Sequence, residues 1–136
     1  MAQSFRDSPV WQRAVQLTVD AYELTRNFSG AEQNDLGSQI RNTAIEIPTK
    51  IAAGHRSFGD GEYGLFLRTA YGSNLELQTQ LELAKRLGFG KSEHVQQVEC
   101  SSLEVGKMLC EILEAIRQTR SKGNKINWKN YFNEFV

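Results

Sequence analysis

Apolar residues recur at steps of three and four along four successive stretches of this 136-residue chain. Such spacing places them on one face of an α-helix, because an α-helix turns once every 3.6 residues. No window alternates polar and apolar residues for long enough to indicate a strand. The sequence therefore predicts an all-α protein with four apolar faces, built on Val10, Ala14, Leu17, Ala21 and Leu24; Leu36, Ile40, Ala44, Ile47 and Ile51; Tyr63, Phe66, Ala70, Leu77, Leu81 and Ala84; and Val95, Val98, Val105, Leu109, Ile112 and Ile116.

Residues with strong preferences for helix ends mark where these helices begin and end. Ser8 is placed to cap the first helix, with Pro9 at its first position. Ser29 and Glu32 have the spacing of a capping box for the second helix, and Gly54 is predicted to stop it. The predicted helices cover about residues 9–28, 30–54, 62–87 and 92–121.

Four helices of this length with short connections indicate an antiparallel, up-down-up-down four-helix bundle. Pro48 falls inside the second helix and is predicted to kink it, because proline removes a backbone donor. Gly72 falls inside the third helix, where we expect close packing to require it. The bundle is predicted to span residues 1–123, followed by a basic and aromatic tail over residues 124–136.

The net charge is zero, but the charges are distributed unevenly along the chain. From Arg117 onward there are five basic residues and one acidic residue, a net charge of +4. A basic end on an acidic body suits a polyanion or an acidic neighbouring subunit, whereas the alternative is an ordinary solvated helix end. The tail aromatics Trp128, Tyr131 and Phe132 would either stack on bases or dock on a protein surface.

Motifs for catalysis are weak or absent from the sequence. The segment Gly59–Gly64 matches GxGxxG, but it follows a predicted helix rather than a strand, and its acidic residues disfavour a phosphate. Neither His55 nor His94 has a glutamate three residues before it, which a di-metal bundle site would need. We therefore expect no enzymatic activity, no catalytic residue, no metal and no cofactor.

The cellular setting is predicted from the cysteines and from the absence of long apolar runs. Cys100 and Cys110 lie ten residues apart on one predicted helix, about 15 Å along its axis, which is too far for a disulfide. Two reduced thiols are typical of a cytoplasmic protein. Neither a secretory signal nor a membrane span is predicted.

Several sequence blocks resemble one bacterial family. The blocks are Val10–Ala14, Ser38–Pro48, Ile51–Gly54 and Gly72–Leu81, and the resemblance covers about Phe5 to Ile116. They are similar to the small four-helix-bundle proteins encoded in intervening sequences of the 23S ribosomal RNA gene. The resemblance implies a homopentamer. It also implies a relationship to the accessory variability determinant of diversity-generating retroelements, a basic pentamer that associates with a reverse transcriptase and nucleic acid.

This chain departs from the family pattern near the end of the second helix. Where the family commonly has Asn-Ile-Ala-Glu-Gly, this sequence has Lys50, Ile51, Ala52, Ala53 and Gly54. The exchange replaces an acid by alanine and adds a lysine, so this end of the helix becomes more basic. Any family contact that depends on that glutamate is lost here.

The sequence thus predicts a non-enzymatic, oligomeric bundle that binds RNA or a nucleoprotein, such as a reverse transcriptase, through basic side chains. Each cation would contact backbone phosphate, so no base specificity is expected. The alternative is a protein-interaction scaffold without affinity for nucleic acid. The candidate phosphate contacts are Arg41, Lys50, Arg56, Arg117, Arg120, Lys122 and Lys125.

Overall fold

Four long helices account for nearly all of the regular structure in the part of the chain that the structure describes. The computed structural model describes residues 4–56 and 62–121, with the backbone alone for Arg56 and Ser121. After a short 3-10 turn the helices follow in chain order. They are α1 (Pro9–Arg26); α2, which joins the α-helical stretches Gly30–Glu32 and Ser38–Arg56 through a π-helical stretch, Gln33–Gly37; α3 (Tyr63–Leu87); and α4 (Ser92–Ser121).

The helices form a ring in which each one packs on two neighbours. Both α1 and α3 lie between α2 and α4. The contacts run antiparallel, as α1 and α4 illustrate: Arg13 meets Glu104 at 2.8 Å, and Asn27 meets His94 at 3.2 Å. The predicted antiparallel four-helix bundle is confirmed.

Two predicted helix starts have the expected hydrogen bonds. The Trp11 N–H donates to the Ser8 hydroxyl oxygen at 3.4 Å, so Ser8 caps α1, and Pro9 is the first residue of the helix. The Ser29 N–H donates to the Glu32 carboxylate at 3.2 Å, which is the glutamate half of the predicted capping box. These bonds satisfy backbone donors that have no partner within the helix.

Two glycines have roles opposite to those predicted. Gly54 does not stop α2, which continues to Arg56; an added Cβ at Gly54 would lie 2.8 Å from Phe66 Cβ, so the glycine lets α2 approach α3. Gly72, by contrast, is exposed, and a Cβ there would meet nothing within 4 Å. Close packing within the chain therefore explains Gly54 and not Gly72.

The core is a continuous apolar cluster from all four helices. Burying a large aliphatic side chain of this kind contributes roughly 1.5–3 kcal/mol. The apolar faces predicted from the spacing supply nearly all of it, with Phe66 only partly buried. The core members are Val10, Ala14, Leu17, Ala21, Leu24, Phe28, Leu36, Ile40, Ala44, Ile47, Ile51, Tyr63, Leu67, Ala70, Leu77, Leu81, Ala84, Val95, Val98, Val105, Leu109, Ile112 and Ile116.

Each pair of neighbouring helices is also joined by a polar contact near mid-height. We call these four contacts the polar ties. Buried or half-buried donors thereby find acceptors, which avoids the cost of an unpaired polar group. The ties are Thr18 Oγ1 to the Ala44 carbonyl at 3.1 Å (α1–α2), Gln80 Nε2 to Thr43 Oγ1 at 2.9 Å (α2–α3), Ser102 Oγ to Asn74 Oδ1 at 2.7 Å (α3–α4), and Ser101 Oγ to Asp20 Oδ2 at 2.9 Å (α1–α4).

The tie between α1 and α2 compensates for the proline inside α2. Pro48 lies within the helix and has no N–H for the Ala44 carbonyl, four residues earlier. The Thr18 hydroxyl lies within reach of that carbonyl and of the Ala14 carbonyl at 2.9 Å in its own helix. Since Ala44 is fully buried, a donor from α1 replaces the one that proline removes.

Thr18→Val keeps the shape of the side chain and removes this donor. We expect a loss of about 1–2 kcal/mol in the free energy of unfolding, because the Ala44 carbonyl then lacks a partner. Urea denaturation of Thr18→Val, Pro48→Ala and the double variant measures the coupling. Pro48→Ala restores a backbone N–H, so in that background Thr18→Val should cost much less. Equal costs in both backgrounds would contradict the compensation.

Candidate nucleic-acid interface

The last turns of α4 carry exposed arginines, as the sequence predicts. Arg117 forms a bidentate ion pair with Glu114: its Nε lies 3.1 Å from Glu114 Oε2, and its Nη2 lies 2.6 Å from Glu114 Oε1. The hydrogen bond from Arg117 lowers the pKa of the Glu114 carboxyl and raises that of the guanidinium. Glu114 therefore pairs with Arg117 as a carboxylate at neutral pH. Arg120 lies on the next turn, exposed to solvent.

These two arginines line a groove between the end of α4 and the start of α3. The groove has a volume of about 400 Å³. We call it the arginine groove; its lining residues are Arg68, Leu113, Ile116, Arg117 and Arg120. Three guanidinium groups around one opening make it a strongly cationic feature, and Leu113 and Ile116 give it an apolar floor.

Arg68 was not predicted from the sequence, because no other basic residue lies near it in the first turns of α3. The signal that would have found it is the register between α3 and α4. In an antiparallel pair the start of α3 faces the end of α4, and Gly64 marks that level. A Cβ at Gly64 would lie 3.8 Å from Ile116 Cδ1 and 3.5 Å from Arg68 Nη1.

Two other predicted contacts are engaged elsewhere. Arg41 is half-buried and donates from Nη2 to the Gln33 carbonyl at 3.1 Å, at the start of the π-helical stretch. Lys50 pairs with Glu46 on its own helix at 3.8 Å. Arg41 lies near the level of the Thr43 tie, far along the bundle from the arginine groove. The structure thus does not bring Arg41 together with Arg117 and Arg120.

The remaining predicted positions lie outside the described residues. They are the side chain of Arg56, both Lys122 and Lys125, and the tail over residues 124–136. The same holds for residues 59–61 of the GxGxxG segment. Its last glycine, Gly64, is described and lies buried in the first turn of α3.

Groups with other kinds of reactivity are dispersed over the described structure. Within residues 4–56 and 62–121, no three His, Cys, Asp or Glu side chains come together as a metal site. Cys100 and Cys110 are free thiols exposed to solvent. In the same ranges, no helix combines the length and the apolar character that crossing a membrane requires.

His55 lies at the same end of the bundle as the arginine groove. It belongs to the last turn of α2, beyond Gly54, where the sequence predicts that this helix stops. The Phe5 ring contacts it edge to face, with the centroids 6.4 Å apart. Burial lowers the pKa of His55, and the negative charge of Asp7 opposes this shift in part.

One comparison with known proteins gives a match. The family model described as the 23S rRNA-intervening sequence protein matches residues 6–111. This range includes all of α1, α2 and α3 and most of α4, so it contains Arg68. The arginines at positions 117 and 120 lie beyond it. Among curated proteins, no sequence matches the chain significantly.

The lowered pKa of His55 predicts how stability depends on pH. The unfolded histidine takes up its proton near the ordinary value of about 6.5, whereas the folded one stays neutral to lower pH. Stability from this group is therefore present above the unfolded pKa and is lost as pH falls from there through the lower pKa of the folded state. Urea denaturation between pH 7.5 and 5 should show a smaller loss for His55→Gln than for the wild type. Asp7→Asn should make the His55-dependent loss larger. An identical pH profile for His55→Gln would contradict the shift.

Proposed function

Because the chain belongs to the 23S rRNA-intervening sequence protein family, we propose that it is a non-enzymatic, oligomeric bundle that binds RNA or a nucleoprotein. The proposal assigns no catalytic residue, metal or cofactor. It places the protein in the cytoplasm, where two exposed thiols remain reduced. A homopentamer is part of the proposal and rests on the family resemblance alone.

The observation that carries the proposal is the concentration of positive charge at the end of α4. Arg117 and Arg120 line one groove with Arg68, and Lys122 and Lys125 follow in the sequence. Guanidinium groups match phosphate in shape and charge, and the neutralised phosphates release counterions on binding. Contacts of this kind position a protein on the nucleic-acid backbone without selecting a base sequence.

A second candidate function is a protein scaffold that needs no nucleic acid. The observation that favours it is the outer face of α3, which exposes four leucines: Leu65, Leu75, Leu83 and Leu87. Gly72 lies on the same side and leaves open space for an approaching helix. A shallow groove of about 450 Å³ runs along Leu75 and Leu83 and is flanked by Glu82 and Arg86.

The occupant we favour for the α3 face is a second copy of the chain. The exposed leucines extend along most of α3, which at 1.5 Å per residue is long enough for a helix-to-helix contact. Glu82 and Arg86 carry opposite charges beside the groove, so two copies could exchange ion pairs across it. The residues that line the groove on this face are not among those that line the arginine groove, so association through it does not occupy the arginine groove.

Removing four cations from the C-terminal end should weaken RNA binding. We expect the variant with Arg117→Ala, Arg120→Ala, Lys122→Ala and Lys125→Ala to bind single-stranded RNA less tightly, with a salt slope smaller by up to about 3. Fluorescence anisotropy across a salt series measures both quantities.

The matched control for this variant removes four cations from the opposite end of the bundle. It carries Arg26→Ala, Lys85→Ala, Arg86→Ala and Lys91→Ala, so both variants have the same net charge. The control should retain most of the affinity and slope. If the two variants lose affinity equally, net charge and not the C-terminal end controls binding. If the wild type binds no RNA at low salt, the RNA proposal fails.

Polar substitutions on the outer face of α3 should reduce the mass of the assembly. We expect Leu75→Gln with Leu83→Gln to dissociate the oligomer, because the apolar contact between copies is lost. Light scattering after size exclusion measures the mass. Leu103→Gln changes an exposed leucine on α4 and is the control. An unchanged mass for the α3 double variant would move the contact between copies to another face.

A further inference from the structure

The arginine groove combines two chemistries that a phosphate alone does not use. On α4, Leu113, Ile116, Arg117 and Arg120 fall at helical spacing on one face. Ile116 is almost fully buried and Leu113 is half-buried, so together they form an apolar floor between cationic walls. The ligand that suits this surface has an anionic group joined to a flat or apolar part.

Arg68 supplies the wall on the α3 side. No hydrogen bond or ion pair ties its guanidinium to another group in the described part of the chain. The group lies over Gly64, where the absence of a Cβ leaves room beside Ile116. The guanidinium therefore lies beside the groove and is available to an external acceptor.

The charge balance around the groove favours an anion. Three arginines line it, and the Glu114 carboxylate pairs with Arg117. Arg68 comes from a different helix, so the fold itself brings this cation to the other two. Clustered like charges repel one another, and a bound phosphate would offset that repulsion.

The apolar floor decides which form of nucleic acid fits. In an A-form duplex the bases are paired and stacked, so phosphates and sugars face a protein surface. In a single strand the base is free to pack on apolar side chains or on a guanidinium plane. A volume of about 400 Å³ lies within the usual range for small-ligand sites.

We infer that the arginine groove binds one unpaired nucleotide of single-stranded RNA. The phosphate lies between Arg68 and Arg120, the base or ribose packs against Leu113, and Arg117 keeps its pair with Glu114. This inference rests on the proposed RNA binding and gives it a preference for single strands over duplexes. It also makes Arg68 a phosphate contact.

The test compares two RNA probes and two arginine variants of the full chain. The probes are an unstructured oligouridine and a blunt RNA duplex with the same number of phosphates. Anisotropy titrations are run with the wild type, Arg68→Gln and Arg26→Gln, which removes the same charge at the end of α1, at the opposite end of the bundle. We expect the wild type to prefer the single strand, and Arg68→Gln to weaken that binding by about fivefold with a smaller salt slope. Arg26→Gln should change it less than about twofold.

A third variant tests the apolar floor. Leu113→Ala should weaken binding to the single strand while leaving binding to the duplex unchanged, since only an unpaired nucleotide reaches Leu113. Circular dichroism and light scattering confirm that each variant is folded and has the wild-type mass.

Each remaining outcome overturns a different statement. If the wild type binds neither probe, the proposed RNA function fails, and this inference fails with it. If the wild type binds but Arg68→Gln has no effect, the groove is not the site, while RNA binding itself stands. Equal affinity for both probes, or an equal effect of Leu113→Ala on both, overturns the unpaired nucleotide.

Discussion

The vertical register of the four helices is the constraint on which the rest of the structure depends. An apolar core stabilises the bundle but distinguishes one register from another less sharply, because an aliphatic side chain of similar volume can take the place of another for less than about 1.5 kcal/mol. The polar ties are specific to one register. Sliding one helix by a turn, about 5.4 Å, would leave buried groups such as Asn74 and Gln80 without their partners. The ties thus fix a register in which Gly64 lies opposite Ile116, and that register creates the arginine groove.

Much of this architecture was predictable from the sequence because its signals are local. Helix spacing, the Ser8 cap and the start of α4 at Ser92 depend on residues within one or two turns. The end of α3 is marked in the same way, since Gly88 adopts a φ of 75°. Such features depend only on residues that are close in the sequence, so the helices and their apolar faces could be predicted with few errors.

The errors have a common physical origin, which is contact between residues distant in sequence. Gly54 looks like a stop signal until α3 is placed against it, and Gly72 looks like a packing site until its surroundings prove open. No residue pattern in the stretch Gln33–Gly37 predicts its π-helical form. Arg68 is recognised as a groove residue only when α4 is packed beside α3. A candidate site built across two helices is therefore harder to predict than either helix.

The two proposed surfaces divide the molecule by direction. The arginine groove opens at one end of the bundle, whereas the leucines of the outer α3 face run along its length. An assembly formed through the long face would repeat the groove once per copy. A long RNA would then bind through several weak sites at a raised effective concentration, and modest contacts in each copy would suffice for tight association.

The hydrogen bond from Thr18 to the Ala44 carbonyl also has a consequence for evolution by single substitutions. It favours one order in which Thr18 and Pro48 are acquired. A threonine at position 18 is tolerable beside an unbroken α2, because its hydroxyl also reaches the Ala14 carbonyl in its own helix. A proline at position 48 without that threonine would leave a buried carbonyl with no donor. The path that never leaves that buried carbonyl without a donor acquires the threonine first. Once the proline is present, replacing the threonine carries a cost in stability that it would not carry beside an unbroken α2.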